Sequence, residues 1–155
     1  MKEDKQKGFI MEIVIRDLVQ NDLSQLSSLY KQFRDEESDV VKMEEEFLKI
    51  TEENKHIILV AEMNHKIIGS VMGVICRELY GDCRPFMVIE NMIVDNDLRR
   101  SGLGQKLMFE LEKRAIKNNC VQMILVTEAG RTDACRFYEK LGFQKGNKGY
   151  KKKLD

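Results

Sequence analysis

Residues 97–107 read DLRRSGLGQKL, and three features of that run suit an anion. Gly102 and Gly104 allow the backbone to turn sharply and to approach a ligand with no Cβ in the way. The Gln-Lys-Leu that follows reads as a helix start, where backbone N–H groups lack intrahelical partners and the helix dipole adds partial positive charge. Arg99 and Arg100 bring cationic charge and Ser101 a hydroxyl. Two familiar phosphate patterns do not fit. No GxxxxGK followed by Ser or Thr is present, and Leu107 stands where GxGxxG needs its third glycine. On the residues alone, an anion cradle and a mere tight turn both stay open.

Other residues invite chemistry as well. Glu90 interrupts the apolar run FMVIENMIV. A carboxylate there is expected to be desolvated, its pKa raised, and so suited to act as a general base. The alternative is a glutamate at a solvent-facing strand start or in an ion pair. Glu128, just beyond VQMILVT, is a second candidate. Cys76, Cys83, Cys120 and Cys135 form no CxxC pair, and the histidines are His56 and His65, so no metal site is expected and free thiols of a cytoplasmic protein are. Cys135 stands one helical turn before Tyr138, but nothing near it in sequence would activate it, and it reads as a small packing residue.

These residues need a scaffold. The 155 residues fit one domain, with 43% apolar and 34% charged residues. Lys plus Arg and Asp plus Glu each total 26, a balance that speaks against a nucleic-acid binder. No apolar run suggests a signal peptide or a membrane span. Residues 1–11 are polar and expected to fray, leaving 12–155 as the domain. EIVIR alternates as a strand does. Leu23, Leu26, Leu29, Tyr30 and Phe33 recur at helical spacing, as do Val40, Met43, Phe47 and Ile50 within a helix expected over 39–53. IILVAEMNHKIIGSVMGVI reads as a hairpin turning at Asn64-His65. FMVIENMIV reads as a strand buried on both faces. Leu103, Leu107, Met108, Leu111 and Ala115 mark an amphipathic helix after the glycine corner. VQMILVT reads as another buried strand, and DACRFYEKL as a short helix stopped at Gly142. Lysine-rich YKKKL reads as an edge strand. The order β-α-α-β-β-β-α-β-α-β predicts a mixed α/β sheet flanked by helices.

The stretch from Arg99 to Gly104 resembles the Arg/Gln-x-x-Gly-x-Gly/Ala signature of the GNAT superfamily of N-acetyltransferases, and it lies between a strand and an amphipathic helix as that signature does. ACRFYEKLGF resembles the family's C-terminal helix signature. The element order from Glu12 onward is similar too. The resemblance implies a single GNAT-like domain whose fourth and fifth strands splay apart. It implies acetyl-CoA as co-substrate, with its pyrophosphate on the backbone of Arg99, Arg100, Ser101, Gly102, Leu103 and Gly104, adjoining Gln105. It implies pantetheine pairing along Met92, Ile93 and Val94, whose side chains also read as core.

Transfer of an acetyl group to an amine requires removal of a proton, since an alkyl ammonium of pKa near 10.4 is neutral in only about one molecule in a few thousand at pH 7. It also requires hydrogen-bond donors for the developing oxyanion and an acid for the departing thiolate. Tyr138 falls on the family's catalytic tyrosine and is the acid the resemblance implies. Glu90 matches a glutamate that serves some members as base, often through water, and the amide of Asn91 or Met92 is placed for the oxyanion. Arg131 stands where many members carry an asparagine that touches the cofactor, and either reaches a CoA phosphate or is solvated. The acidic run Asp35 to Phe47 is a solvated helix face, or else a rim that favours a cationic amine. The expected activity is direct transfer, in a ternary complex, to a primary amine of a small molecule or protein. A non-catalytic acyl-CoA-binding regulatory module is the alternative, and an interaction domain with GLG as a plain turn a third reading. The expected partners are acetyl-CoA and an amine, with a homodimer possible and neither nucleic acid nor membrane.

Overall fold

The computed structural model describes residues 12–34 and 36–154; the N-terminal stretch expected to fray, 1–11, lies outside them. Strands β1 (Val14–Asp17), β2 (His56–Met63), β3 (Lys66–Cys76), β4 (Phe86–Val94) and β5 (Met123–Ile124) form one sheet in that order. The first four run antiparallel to their neighbours, and β5 joins β4 in parallel. Helices α1 (Leu23–Arg34) and α2 (Val40–Glu53) follow β1, α3 (Leu103–Lys117) links β4 to β5, and α4 (Thr132–Lys140) comes last. The expected mixed α/β architecture is what the chain adopts. No helix among the described residues is long and apolar enough to cross a membrane.

The helical stripes become two core layers. Leu103, Leu107, Met108, Leu111 and Ala115 of α3 bury against Leu59, Ala61, Ile68, Val71, Met87 and Ile89 of the sheet. On the opposite face Leu23, Leu26 and Leu29 of α1 pack on Val60, Ile67 and Ile93, with Tyr30, Phe33, Met43 and Phe47 half-buried around them. Asp39 caps α2 by accepting from Lys42 N at 3.2 Å. Asn64 and His65 both take positive φ, 51° and 61°, the geometry a two-residue hairpin turn requires.

Two polar clusters hold the site's supports. Arg16 grips Asp22 through both terminal nitrogens, at 2.6 and 2.9 Å, and reaches Glu62 through Nε at 2.8 Å. The guanidinium, aided by the Val19 amide, holds the Asp22 carboxyl below its ordinary range although burial opposes this. At the end of β4, buried Asp95 accepts from Asp97 N at 3.1 Å, from Gln32 at 3.4 Å and from Lys66 at 3.5 Å. Burial opposes that charge, and these donors outweigh it, keeping the carboxyl low. Gln32 also accepts from Asn96 N at 3.0 Å, tying the last turn of α1 to the segment that enters the glycine corner.

Three expectations are corrected. VQMILVT is not a full buried strand: it pairs only at Met123 and Ile124, and Val121 and Val126 are exposed. The reason is that β4 leaves it after Val88. YKKKL and Phe143 join no strand among the described residues, although Gly149 lies against Val126. FMVIENMIV is not buried throughout, because Glu90 is exposed.

Candidate active site

The strand β4 changes face midway. Its pairing with β3 runs Glu90 to Met72 and then Ile93 to Ser70, so Asn91 and Met92 stand opposite Val71 alone. Asn91 takes φ +51° to make this bulge. Before it, Met87 and Ile89 face α3; after it, Met92 and Val94 do, while Ile93 turns to the α1 side. Glu90, on the face opposite buried Met87 and Ile89, is exposed, as the alternative of a solvent-facing glutamate has it.

The same strand parts from β5. Their pairing covers Met87 and Val88 only, so the stretch Ile89–Val94 has no strand partner on that side. The implied splay of the fourth and fifth strands is thus present. Ile93 is buried and Met92 and Val94 are half-buried, so their side chains are committed to the core and their backbone is what faces the gap.

The glycine corner lies beside that gap. Gly102 caps α3 in the left-handed region, φ +85°, and no side chain caps this helix end. An added Cβ on Gly102 would meet nothing within 4 Å, whereas one on Gly104 would lie 3.1 Å from Met92 Cε and 3.2 Å from Phe137 Cζ. Gly102 is needed for the turn, and Gly104 for the close seat of α3 against β4 and α4. The Leu103 side chain is buried in the core, which leaves its N–H as the group it can offer. Around the first turn of α3, Arg99, Ser101 and Gln105 are exposed. Arg100 takes φ +65° and lies 3.7 Å from Asp133 of α4.

Tyr138 sits on α4, half-buried, with its ring edge-on to Phe137 at 5.1 Å and Phe143 at 5.8 Å. Burial pushes its phenol up, the Arg131 charge pulls it down, and the Glu90 charge pushes it up again. Glu90, Tyr138 and Arg131 therefore share one electrostatic neighbourhood. Arg131 does not extend into solvent alone: its guanidinium carbon lies 5.2 Å from the centroid of the Phe33 ring in α1. Glu128 is exposed, and its carbonyl accepts from Arg131 N at 2.9 Å. Cys135 is half-buried with a free thiol.

Two cavities flank these groups. One of about 380 Å³ is lined by Tyr30, Arg34, Glu36, Glu37, Ser38 and Asn91. A larger one of about 720 Å³ runs along α3 from Gly102 and Lys106 to Ile116, closed by Leu141 to Phe143. Neither Glu90 nor Tyr138 lines either cavity; the smaller touches the bulge next to Glu90. Tyr30, Arg34 and Phe33 were not legible as site residues. The available signal was a phenol and a ring on an otherwise leucine stripe.

A parted strand pair, an uncapped helix start behind a Gly-x-Gly corner and a phenol across from them are features of one class, the acetyltransferases. Residues 21–143 match the Acetyltransferase (GNAT) family model, and the chain belongs to that family. Among solved structures it is similar to a transcriptional regulator from Bacillus halodurans C-125, with TM-score 0.85, 25% identity, and 92% of this chain and 100% of that one covered. It is similar to glucosamine-6-phosphate N-acetyltransferase from Arabidopsis thaliana, with TM-score 0.84, 24% identity, and 93% and 99% covered. A third likeness is to an aminoglycoside N-acetyltransferase solved in complex with CoA, with TM-score 0.80, 17% identity, and 93% and 95% covered.

Proposed function

We propose that this chain is an acetyl-CoA-dependent N-acetyltransferase that acetylates a primary amine, on a small molecule or protein, by direct transfer in a ternary complex. The observation that carries the reading is the uncapped start of α3 beside the gap between β4 and β5. Amides of Leu103, Gly104 and Gln105 receive the pyrophosphate, with Arg99, Arg100 and Ser101 beside them. The unpaired edge of Met92 to Val94 takes the pantetheine arm as a strand would. CoA in the aminoglycoside N-acetyltransferase complex supports this choice of co-substrate.

The chemistry follows from placement. Glu90, exposed and next to the bulge, accepts the ammonium proton through water, with Glu128 the second candidate. An amide at the bulge, from Asn91 or Met92, donates to the carbonyl oxygen as negative charge grows on it. The amine nitrogen bonds to the acetyl carbon, the carbon–sulfur bond breaks, and Tyr138 gives its proton to the leaving thiolate. A phenol kept protonated by burial suits that role. Free cysteines go with a cytoplasmic setting, and a homodimer stays part of the reading.

The test is calorimetric titration with acetyl-CoA, dephospho-CoA and pantetheine. Micromolar binding of acetyl-CoA that collapses for pantetheine is expected; no heat and no thermal stabilisation at millimolar acetyl-CoA would sink the proposal. The regulator named among the similar structures favours a second reading, an acyl-CoA-binding module without turnover. E90Q and Y138F separate the two, because a binding module has no rate to lose.

A further inference from the structure

Phe33, near the end of α1, has two guanidiniums close to its ring. The Arg34 guanidinium carbon is 5.8 Å from the ring centroid and that of Arg131 is 5.2 Å away. One comes from the next residue and the other from the start of α4, so the ring joins the two elements beside the smaller cavity, which Arg34 lines. Stacking on an aromatic face orients a guanidinium while leaving its N–H donors unsatisfied. Arg16 and Arg114 spend their donors on carboxylates; among the described residues, Arg34 and Arg131 have no such partner.

Their surroundings define what those donors face. Arg34 lines the cavity of about 380 Å³ together with Asn91 of the bulge, and its charge reaches the half-buried Tyr30 phenol. The Arg131 charge reaches Tyr138. Two carboxylates, Glu36 and Glu37, line the same cavity, and neither forms an ion pair with Arg34. Glu37 is paired with Lys31, Asp39 caps α2, and Glu36 is exposed. Of the acidic rim expected to select a cationic amine, Glu37 is thus answered by Lys31.

We infer that Arg34 and Arg131 form a two-guanidinium clamp for an oxyanion carried by the acceptor, which is therefore an amine bearing its own phosphate or carboxylate. The inference deepens the transferase reading and rests on it. The planar N–H fork of each arginine matches either anion, while exposed Glu90 remains for the ammonium end of the same molecule. Polycationic amines are disfavoured because both guanidiniums would meet like charge.

The experiment uses the full chain saturated with CoA and titrates matched pairs by calorimetry: glucosamine 6-phosphate against glucosamine, phosphoserine against serine, and glutamate against glutamine, with spermidine as the polycation. The anionic member of at least one pair is expected to bind roughly tenfold or more tightly, the scale of a charge-assisted contact. The first two pairs report phosphate and the third carboxylate. R34Q and R131Q each shrink that preference several-fold, R34K and R131K restore part of it, and raised salt weakens it. Equal binding within every pair, no binding by any anionic amine, or spermidine binding tightest overturns the clamp. So does R131Q weakening acetyl-CoA while the pair preference persists, since Arg131 would then serve the cofactor. Failure of acetyl-CoA itself to bind is read separately and removes the transferase reading.

Discussion

Gly104→Ala tests whether the corner is built for packing as well as for turning. The new Cβ would sit 3.1 Å from Met92 Cε and 3.2 and 3.4 Å from two Phe137 ring carbons, against an ordinary carbon separation of about 3.5–4.0 Å. Met92 ends in a flexible thioether and can swing aside. Phe137 cannot tilt freely, because its ring is edge-on to Tyr138 at 5.1 Å. Overpacking of this kind costs about 1–3 kcal/mol, and alanine returns roughly 0.8–1 kcal/mol of helix propensity over glycine. The net expectation is a loss of about 1 kcal/mol, or about 0.5 M in the urea midpoint for a slope near 2 kcal/mol/M. In an F137L background the ring no longer obstructs, and the penalty should fall by at least about 0.5 kcal/mol. Urea melts of the four proteins measure this. If Gly104→Ala is as stable as the parent in both backgrounds, packing is not why glycine stands there. The displaced ring also carries Tyr138, so turnover should drop more than stability alone explains.

Further outcomes follow from the same geometry. Gly102→Ala should cost about 1 kcal/mol through the left-handed backbone alone, and Gly102→Asn less, since asparagine tolerates that region; denaturant melts would show the order. Tyr138→Phe should lower kcat far more than acetyl-CoA affinity. Burial raises the phenol, so the acid form persists past pH 10 and only a decline above that belongs to Tyr138; an alkaline limb below it that survives in Y138F has another owner. Asp22→Asn should destabilise by roughly 2 kcal/mol at neutral pH, a discount on a fully buried pair because Arg16 is partly exposed. The folded-state pKa of Asp22 is depressed, so that stabilisation is present above the unfolded value near 4 and lost as pH falls through the folded one. The parent and D22N should therefore converge in acid-dependent melts.

Periodic features were legible in the sequence because burial is periodic. The α3 stripe from Leu103 to Ala115 and the Asn64-His65 turn needed only local pattern. The glycine corner was legible because a backbone requirement leaves glycine as its trace. Glu90 misled on its environment, since the apolar run around it hides that it stands on the face opposite Met87 and Ile89. VQMILVT misled because its pairing depends on where β4 goes, not on its own residues. Arg131 could not be placed at all: its stacking partner Phe33 lies in the first helix, and only the tertiary fold brings the two together.

The uncapped start of α3 has a consequence for inheritance. In the proposed reading, recognition there is carried by main-chain amides, which every substitution except proline preserves. The acceptor end, as proposed, relies on side chains, and a single codon change can erase Arg34 or Arg131. Descendants of this chain can thus exchange one acceptor for another while the corner goes on holding the same donor. Mutational drift should retune what is acetylated long before it alters what does the acetylating.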